Sequence, residues 1–261
     1  MTEDNNSLLH AVSEVATLAA NIALQHFRTG ISIETKHDGS PVTIADRSAE
    51  AAAREWIVQR FPNDGVLGEE FGEDRPGSRR RWIIDPIDGT VSFVRQVPLW
   101  GTLVAVEEEG RVLAGAACYP AVGEIIAAAT GQGCWHNGSA CGVSDVSSLS
   151  HATVLTTDDR FQSSTRRRSA WIELADRAYI ARTWGDCYGY LLVATGRAEA
   201  MLDDVTNAWD AACLQPIIEE AGGVLTDFRG NQTPFGGSVI ATNRRLAHKV
   251  RAIMGDTEAI T

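Results

Sequence analysis

The stretch that most constrains how this chain can fold is Trp82–Phe93, whose sequence is WIIDPIDGTVSF. Its first three residues are apolar and partly β-branched, which is typical of a short buried strand. Pro86 follows closely and has no N–H to donate to a strand ladder, so regular pairing is expected to end there. Asp85 is therefore predicted to lie at the end of a strand.

The acids of this stretch are spaced so that they can face one point. A proline stiffens the chain between Asp85 and Asp88, and the Ile87 carbonyl lies between the two carboxylates. Gly89 and Thr90 would then begin a helix whose free N–H groups point toward the same place. Carboxylate and carbonyl oxygens that lie close together can bind Mg²⁺, and free N–H groups at a helix start can bind a phosphate. In a bare D-x-x-D-G pattern the same acids can instead cap a solvated turn.

Composition limits the partners. The chain has 261 residues, 44% of them hydrophobic, with a formal net charge of −11 and a pI near 5.0. Nucleic acids and anionic membranes attract basic surfaces, so we expect neither nucleic acid nor a membrane as the partner. A cation or a cationic substrate fits the charge better, although acidity by itself also serves solubility.

Cysteine usage and the N-terminus indicate the cytoplasm. The five cysteines form no C-x-x-C pair, so neither a zinc site nor a disulfide frame is predicted and the thiols are expected to be reduced. The first residues lack the basic-then-apolar order of a signal peptide, and no segment reaches the roughly 18 apolar residues that span a bilayer. We therefore expect a protein that is neither exported nor embedded.

Apolar periodicity and glycine or proline breaks predict alternating helices and strands. In chain order these are a helix over 7–27 with Ser7 as N-cap, a strand over 31–35, a helix over 43–61, a strand over 65–68, a mobile surface loop over 72–81, an antiparallel meander over 100–130, and a further strand and tight turn over 133–138. The second half adds strands over 152–157, 179–183, 198–204, 224–228 and 238–242 and helices over 166–177, 185–196, 209–221 and 244–254. We expect two α/β halves, residues 1–150 and 151–261, packed as one unit around a shared cleft.

Five acids lie where a strand ends or a helix begins, the positions at which α/β folds place their sites. They are Asp46, Glu69, Asp85, Asp88 and Asp210. Such carboxylates repel each other unless cations lie among them, so the pattern indicates a site that binds several metal ions and a phosphate. For Asp46, in the first turn of its helix, capping and contact with a metal-held water both remain open.

Four ordered motifs resemble the inositol monophosphatase-like family of Mg²⁺-dependent, lithium-sensitive phosphatases over nearly the whole chain. They are K-x-D-x-S-P-V-T-x-A-D at 36–46, GEE at 68–70, WIIDPIDGT at 82–90, and WDAA at 209–212 with EEAGG at 219–223. The resemblance implies a layered αβαβα sandwich of the inositol monophosphatase and fructose bisphosphatase type. It also implies a homodimer, a small phosphomonoester substrate and two to three Mg²⁺ ions per site.

The same resemblance assigns metal ligands. Glu69, Asp85 and the Ile87 carbonyl would hold one Mg²⁺, and Asp85, Asp88 and Asp210 a second. A looser third ion would lie near Glu69.

It also assigns residues to the water and the substrate. Asp46 and Thr90 would orient the nucleophilic water, with Glu69 beside them. The amides of Gly89 and Thr90 would hold the phosphate, and Asp210 would face the substrate as well as the metal.

Within the family, three stretches look most like the histidinol-phosphate phosphatases: DGVLGEEFG at 64–72, FVRQVPLWGTL at 93–103 and GDCYGYLLVATGRAEAMLD at 185–203. Val91 departs from these enzymes, which often have lysine after DGT. Asp186 and Asp203 add negative charge on the expected leaving-group side, and acids favour an ammonium or an imidazole over neutral inositol. Asp186 can equally be a helix N-cap.

Three functions therefore remain. The first is hydrolysis of L-histidinol phosphate in histidine biosynthesis, and the second is hydrolysis of inositol phosphate or another small phosphomonoester. The third is a catalytically silent binding protein of the same fold, which would need a lost ligand, whereas every expected acid is present.

Overall fold

The computed structural model describes residues 5–30, 33–35 and 41–256. The helices are α1 Asn5–His26, α2 Ile44–Arg60, α3 Thr90–Val94, α4 Thr165–Arg177, α5 Asp186–Ala194, α6 Ala208–Ala211, α7 Leu214–Glu220 and α8 Ala247–Met254. The strands are β1 Ile33–Thr35, β2 Pro41–Thr43, β3 Gly65–Gly68, β4 Gly72–Asp74, β5 Arg80–Asp88, β6 Gly101–Glu108, β7 Arg111–Tyr119, β8 Glu124–Ala129, β9 Cys134–His136, β10 Ser139–Ala140, β11 Thr153–Thr156, β12 Ile180–Arg182, β13 Ala200–Asp203, β14 Val224–Thr226 and β15 Val239–Thr242.

Helices and sheets alternate in five layers. Helices α1 and α2 pack on one face of an eight-stranded sheet, and α5 and α7 lie between that sheet and a five-stranded sheet. Helices α4 and α8 cover the other face of the five-stranded sheet. Each interface is apolar, since an amphipathic helix must bury its apolar stripe against a sheet. This arrangement is the predicted αβαβα sandwich.

The larger sheet has the strand order β10-β9-β8-β7-β6-β5-β3-β4. Its strands β5 to β8 form antiparallel neighbours, so the predicted meander is confirmed. Strand β3 instead runs parallel to β5. The carboxyl ends of parallel strands meet at one edge of a sheet, and the chain reaches Glu69 and Asp85 at that edge.

The smaller sheet has the order β12-β11-β13-β15-β14, with the first three strands parallel. Successive side chains point to opposite faces. Leu155 and Met201 pack toward α5 and α7, whereas Val154 and Leu202 pack toward α4 and α8. Both faces of this sheet are therefore buried.

Helix α1 is a core helix. Contrary to the sequence-based expectation, it is long and apolar enough to cross a membrane, and it is the one helix of the described residues that meets this test. Its Val12, Val15 and Ala19 are wholly buried against α2 and the larger sheet. The helix begins at Asn5, so the prediction that Ser7 is its N-cap is wrong.

The segment predicted as a mobile loop over 72–81 is largely ordered into strands. Strand β4 pairs with β3, and β5 already begins at Arg80. Arg54 of α2 donates to the Asp74 carboxylate at 3.0 Å and to the Gly72 carbonyl. Paired backbone and the half-buried Arg54 therefore hold this segment.

The helix predicted over 209–221 is divided into α6 and α7. Pro216 lies near the start of α7. It has no N–H for the carbonyl of Ala212, and its ring would clash with that carbonyl in a continuous helix. Gly222 follows the end of α7 with a φ of +86°, the left-handed conformation that commonly ends a helix. Part of the 36–46 motif and Ile31 lie outside the described residues.

Candidate active site

Strand β5 turns two carboxylates toward one point through an irregularity in its pairing. The register against β6 shifts between Asp85 and Asp88, as at a β-bulge. Asp85 Oδ1 accepts the Ile87 N–H at 3.0 Å, and Thr102 of β6 donates to the Pro86 carbonyl at 2.7 Å. Regular pairing is thus interrupted at the proline, as predicted, although β5 continues to Asp88, and the interruption is held from the neighbouring strand.

Helix α3 begins directly after the bulge. Gly89 precedes it with a φ of +84°, a conformation that favours glycine. A Cβ at this position would lie 3.0 Å from Asp186 Oδ2, so space as well as backbone requires glycine. Thr90 is the first helical residue, and its Oγ1 donates to the Ile87 carbonyl at 3.0 Å. The expected phosphate-binding role of these two amides stays a prediction.

Asp210 reaches the site from α6. Its Oδ2 accepts the Asn207 N–H at 2.7 Å in a capping box, which fixes its direction. The junction between α6 and α7 lies directly on β7. A Cβ at Gly115 would lie only 2.4 Å from the Cys213 carbonyl oxygen. Because Gly115 has no side chain, the α6–α7 junction can approach β7 this closely. This approach sets how far Asp210 extends into the site.

Asp85, Asp88 and Asp210 form an acid cluster whose carboxylate oxygens lie within 4.8 Å of one another. Burial raises the pKa of Asp85 well above its ordinary value, and the charges of Glu69, Asp88 and Asp210 raise it further. Burial likewise raises the pKa of Asp88, with Asp186 and Asp210 adding to it. The pKa of Asp210 is raised to about 6, chiefly by burial. Asp85 is buried and the other two acids are half-buried. Hard oxygens that repel one another in this way fit Mg²⁺, which would relieve that repulsion.

Glu69 joins the cluster from the end of β3. Its N–H donates to the Ile84 carbonyl at 3.2 Å, which continues the pairing of β3 with β5. The charge of its carboxylate raises the pKa of Asp85. The two predicted strand ends are thus brought together.

Sequence reasoning missed Glu50, a wholly buried acid of α2 that holds the Glu69 turn. Its carboxylate accepts the N–H groups of Glu70 at 2.8 Å and Phe71 at 3.2 Å. Gly68 makes room for it, because a Cβ there would lie 2.0 Å from Glu50 Oε1. An acid on the apolar face of a predicted helix, one turn after Asp46, was the available signal.

Asp46 forms a capping box at the start of α2. Its Oδ2 accepts both the N–H and the hydroxyl of Thr43 at 2.7 Å. Burial raises the pKa of this carboxyl, and the Glu69 charge adds to the effect. The capping interpretation is confirmed, and the role of Asp46 toward a nucleophilic water stays a prediction.

Asp186 lies on the other side of the acid cluster, at the first residue of α5. Its φ is +50°, and its N–H donates to Thr157 Oγ1 at 2.8 Å. Its Oδ2 accepts the Ser92 hydroxyl at 3.0 Å. The N-cap of α5 is Gly185, with no side-chain capping bond, so the interpretation of Asp186 as an N-cap is wrong.

Asp203, at the end of β13, uses both carboxylate oxygens within the protein. Oδ1 accepts the Thr157 N–H at 3.1 Å, and Oδ2 accepts the Tyr190 hydroxyl at 2.8 Å. Burial raises the pKa of Asp203 to about 6. The first bond joins β13 to the end of β11, and the second joins it to α5. A contact between Asp203 and substrate stays a prediction.

Two cavities meet at Asp186. The inner one, of about 160 Å³, is also lined by Asp88, Asp203 and Asp210. The outer one, of about 420 Å³, is lined by residues that include Val91, Ser92, Val97, Leu99 and Arg160. Asp186 therefore lies between the acid cluster and a space large enough for a small organic group.

A further cavity of about 490 Å³ lies between α1 and the β8–β9 region. It is lined by residues that include Leu9, Ile125 and Trp135, and by none of the acids above. We therefore do not place the active site there.

A layered α/β fold that brings acids together where parallel strands end, beside a small cavity, is typical of phosphatases. The chain belongs to the inositol monophosphatase family, whose model matches residues 4–257. It is accordingly an enzyme, and the predicted family and fold class are confirmed.

Relatives cover almost the entire chain. A histidinol-phosphatase of Chlorobaculum parvum is 41% identical over 252 residues, which cover 96% of this chain and 97% of that protein. A histidinol-phosphatase of Mycobacterium tuberculosis is 38% identical, covering 84% of this chain and 86% of the relative. The solved structure of an inositol monophosphatase from Zymomonas mobilis matches with a TM-score of 0.87 at 31% identity, covering 97% of this chain and 99% of that one.

Proposed function

We propose that the protein hydrolyses L-histidinol phosphate to L-histidinol and phosphate with the help of Mg²⁺. The observation that carries this substrate is the position of Asp186, a half-buried acid between the inner and outer cavities. A substrate whose phosphate lies at the acid cluster would present its leaving group to Asp186. An ammonium or imidazolium gains from such an acid, whereas neutral inositol has no charge to offer. The similarity to two histidinol-phosphatases supports the same substrate.

The acid cluster would hold two to three Mg²⁺ ions, with Glu69 and the Ile87 carbonyl completing the ligand set. When bound, these ions would neutralise the phosphate and lower the pKa of an attacking water. The fit rests on buried, mutually repelling carboxylates that gain from a cation.

Thr90, Asp46 and Gly89 would serve the phosphate and the water. The Thr90 hydroxyl lies 3.0 Å from the Ile87 carbonyl, beside the acid cluster. It would accept a proton from the attacking water and pass it to Asp46, whose pKa is raised by burial. The amides of Gly89 and Thr90 would hold the phosphate at the start of α3.

Inositol phosphate or another uncharged phosphomonoester is the second candidate. The outer cavity favours it in one respect, because Thr157, Arg160 and Thr183 line it with groups that can hydrogen-bond to hydroxyls. A homodimer and a cytoplasmic location stay predictions.

The test is kcat/KM with Mg²⁺ for L-histidinol phosphate and inositol 1-phosphate, on the parent and on Asp186→Asn. A charge-assisted hydrogen bond is worth roughly 1.5–3 kcal/mol, so the substitution is expected to raise KM for histidinol phosphate about ten- to a hundredfold. Inositol phosphate should be affected far less. Asp176→Asn, which changes an exposed carboxylate of α4, is the matched control.

Two outcomes would overturn the proposal. A parent that prefers inositol phosphate, or an equal loss on both substrates, would remove the assignment to histidinol phosphate. Full activity in EDTA would remove the metal dependence.

A further inference from the structure

The start of α5 is attached to the turn between β5 and α3 by two hydrogen bonds. The Cys187 N–H donates to Asp88 Oδ2 at 2.6 Å, and the Ser92 hydroxyl donates to Asp186 Oδ2 at 3.0 Å. The first bond engages an acid of the cluster, and the second engages the acid between the two cavities. The position of Asp186 is thereby tied to that of the acid cluster.

The backbone of Asp186 is fixed independently of its side chain. A φ of +50° is unfavourable for a residue with a Cβ and persists only when the surroundings hold it. Thr157 accepts its N–H at 2.8 Å, and a Cβ at Gly185 would lie 2.4 Å from the Thr157 Cα. What remains to be set is the direction of the carboxylate.

Ser92 sets that direction. It lies on α3, within one helical turn of Thr90, and lines the outer cavity together with Asp186. Among the residues that the structure describes, Ser92 is the one whose side chain donates a hydrogen bond to the Asp186 carboxylate. Its hydroxyl contacts Oδ2 alone. Oδ1 is left for a ligand. Burial raises the pKa of Asp186 above its ordinary value, and the hydrogen bond from Ser92 opposes this shift.

We propose that Ser92 is a positioning residue for the cationic leaving group: by holding Asp186 Oδ2, it presents Oδ1 to the ammonium or imidazolium of the substrate. This rests on the function proposed above. Ser92 would act through Asp186 and not on the phosphate, so its removal would weaken binding of cationic substrates and leave the chemical step nearly unchanged.

The experiment measures kcat and KM separately for L-histidinol phosphate and inositol 1-phosphate on Ser92→Ala, Ser92→Thr, Asp186→Asn and the double variant Ser92→Ala with Asp186→Asn. Ser92 acts on the substrate only through the direction of the Asp186 carboxylate, so Ser92→Ala should raise KM for histidinol phosphate roughly three- to tenfold, less than the loss of the acid itself. Its kcat, and its KM for inositol phosphate, should stay within about twofold of the parent. Ser169→Ala, which removes an exposed hydroxyl of α4, is the matched control.

The other variants separate positioning from packing. Ser92→Thr keeps a hydroxyl and should recover most of the affinity. The double variant should be no weaker than Asp186→Asn alone, because Ser92 has nothing to position once the acid is gone. Additive losses, or equal losses on both substrates, would overturn the proposal.

Failure of this proposal is distinct from failure of the proposed function. A parent that prefers inositol phosphate would overturn the function. A parent that prefers histidinol phosphate and loses affinity through Asp186→Asn, but not through Ser92→Ala, would overturn the positioning role alone.

Discussion

The acid cluster and the other side of the site, which holds Asp186 and Asp203, differ in the groups that surround their carboxylates. The acids of the cluster lie within 4.8 Å of one another and have pKa values raised by burial and by their shared charge. Each of these acids also accepts a backbone N–H, whereas Asp186 and Asp203 accept the side-chain hydroxyls of Ser92 and Tyr190. The cluster, whose charges lie closest together, gains most from a cation. Chemistry and substrate choice are therefore expected to respond separately to substitution.

The largest expected effect lies in the cluster. Asp88→Asn and Asp210→Asn should each lower kcat by a factor on the order of 10³ or more, because each would remove a ligand of the second Mg²⁺. Steady-state kinetics over a range of Mg²⁺ concentrations measure this, with circular dichroism to verify folding. If either variant lost no more kcat than Asp186→Asn, the two sides of the site would not differ as described.

A smaller effect is expected at Thr90, which lies between the two sides. General-base positioning contributes about 10² to 10⁴ in rate, so Thr90→Ala should lower kcat by at least about 10² with KM nearly unchanged. Thr90→Ser keeps the hydroxyl and should recover much of the loss. Equal rates for the alanine and serine variants would mean that the hydroxyl takes no part in the reaction.

The smallest effect concerns stability and the Asp203 carboxyl. Burial raises its pKa to about 6 in the folded protein, against about 3.9 in an unfolded chain. The folded state therefore binds more protons between about pH 4 and 6, and the free energy of unfolding falls as pH rises through that window. The Asp203→Asn variant has no carboxyl at this position, so it lacks this pH-dependent contribution to the free energy of unfolding.

We expect the stability of the parent, relative to Asp203→Asn, to fall by roughly 2 kcal/mol between pH 4 and 7. Urea unfolding in EDTA at several pH values measures this, with Asp176→Asn as the control. A difference between parent and variant that does not change with pH would show that Asp203 titrates as it does in the unfolded chain.

Much of the acid cluster was predictable because its determinants are local. Spacing around Pro86 placed Asp85 and Asp88 at a strand end, and Gly89 marked the start of α3. The division of the helix over 209–221 was also readable, since Pro216 provided the signal.

The supports of the site were not predictable in the same way. Glu50 bonds the backbone of Glu70 across 20 residues, and Ser92 bonds Asp186 across 94. Such partners meet only through the packing of separate layers, which no spacing in the sequence specifies. The role of Gly115 could not be predicted from the sequence for the same reason, because its partner, Cys213, belongs to another layer.

Through the contact between Gly115 and Cys213, the backbone of the larger sheet helps to position Asp210. At Gly115 no side chain lies between the β7 backbone and the α6–α7 junction, so no side-chain rotation can absorb a displacement of one backbone against the other. A single added methyl group in the middle of the sheet would be transmitted to Asp210 as a shift of the whole carboxylate. Loss of activity can therefore originate in a residue that touches neither metal nor substrate, and a survey of inactivating variants restricted to the cavity walls would overlook it.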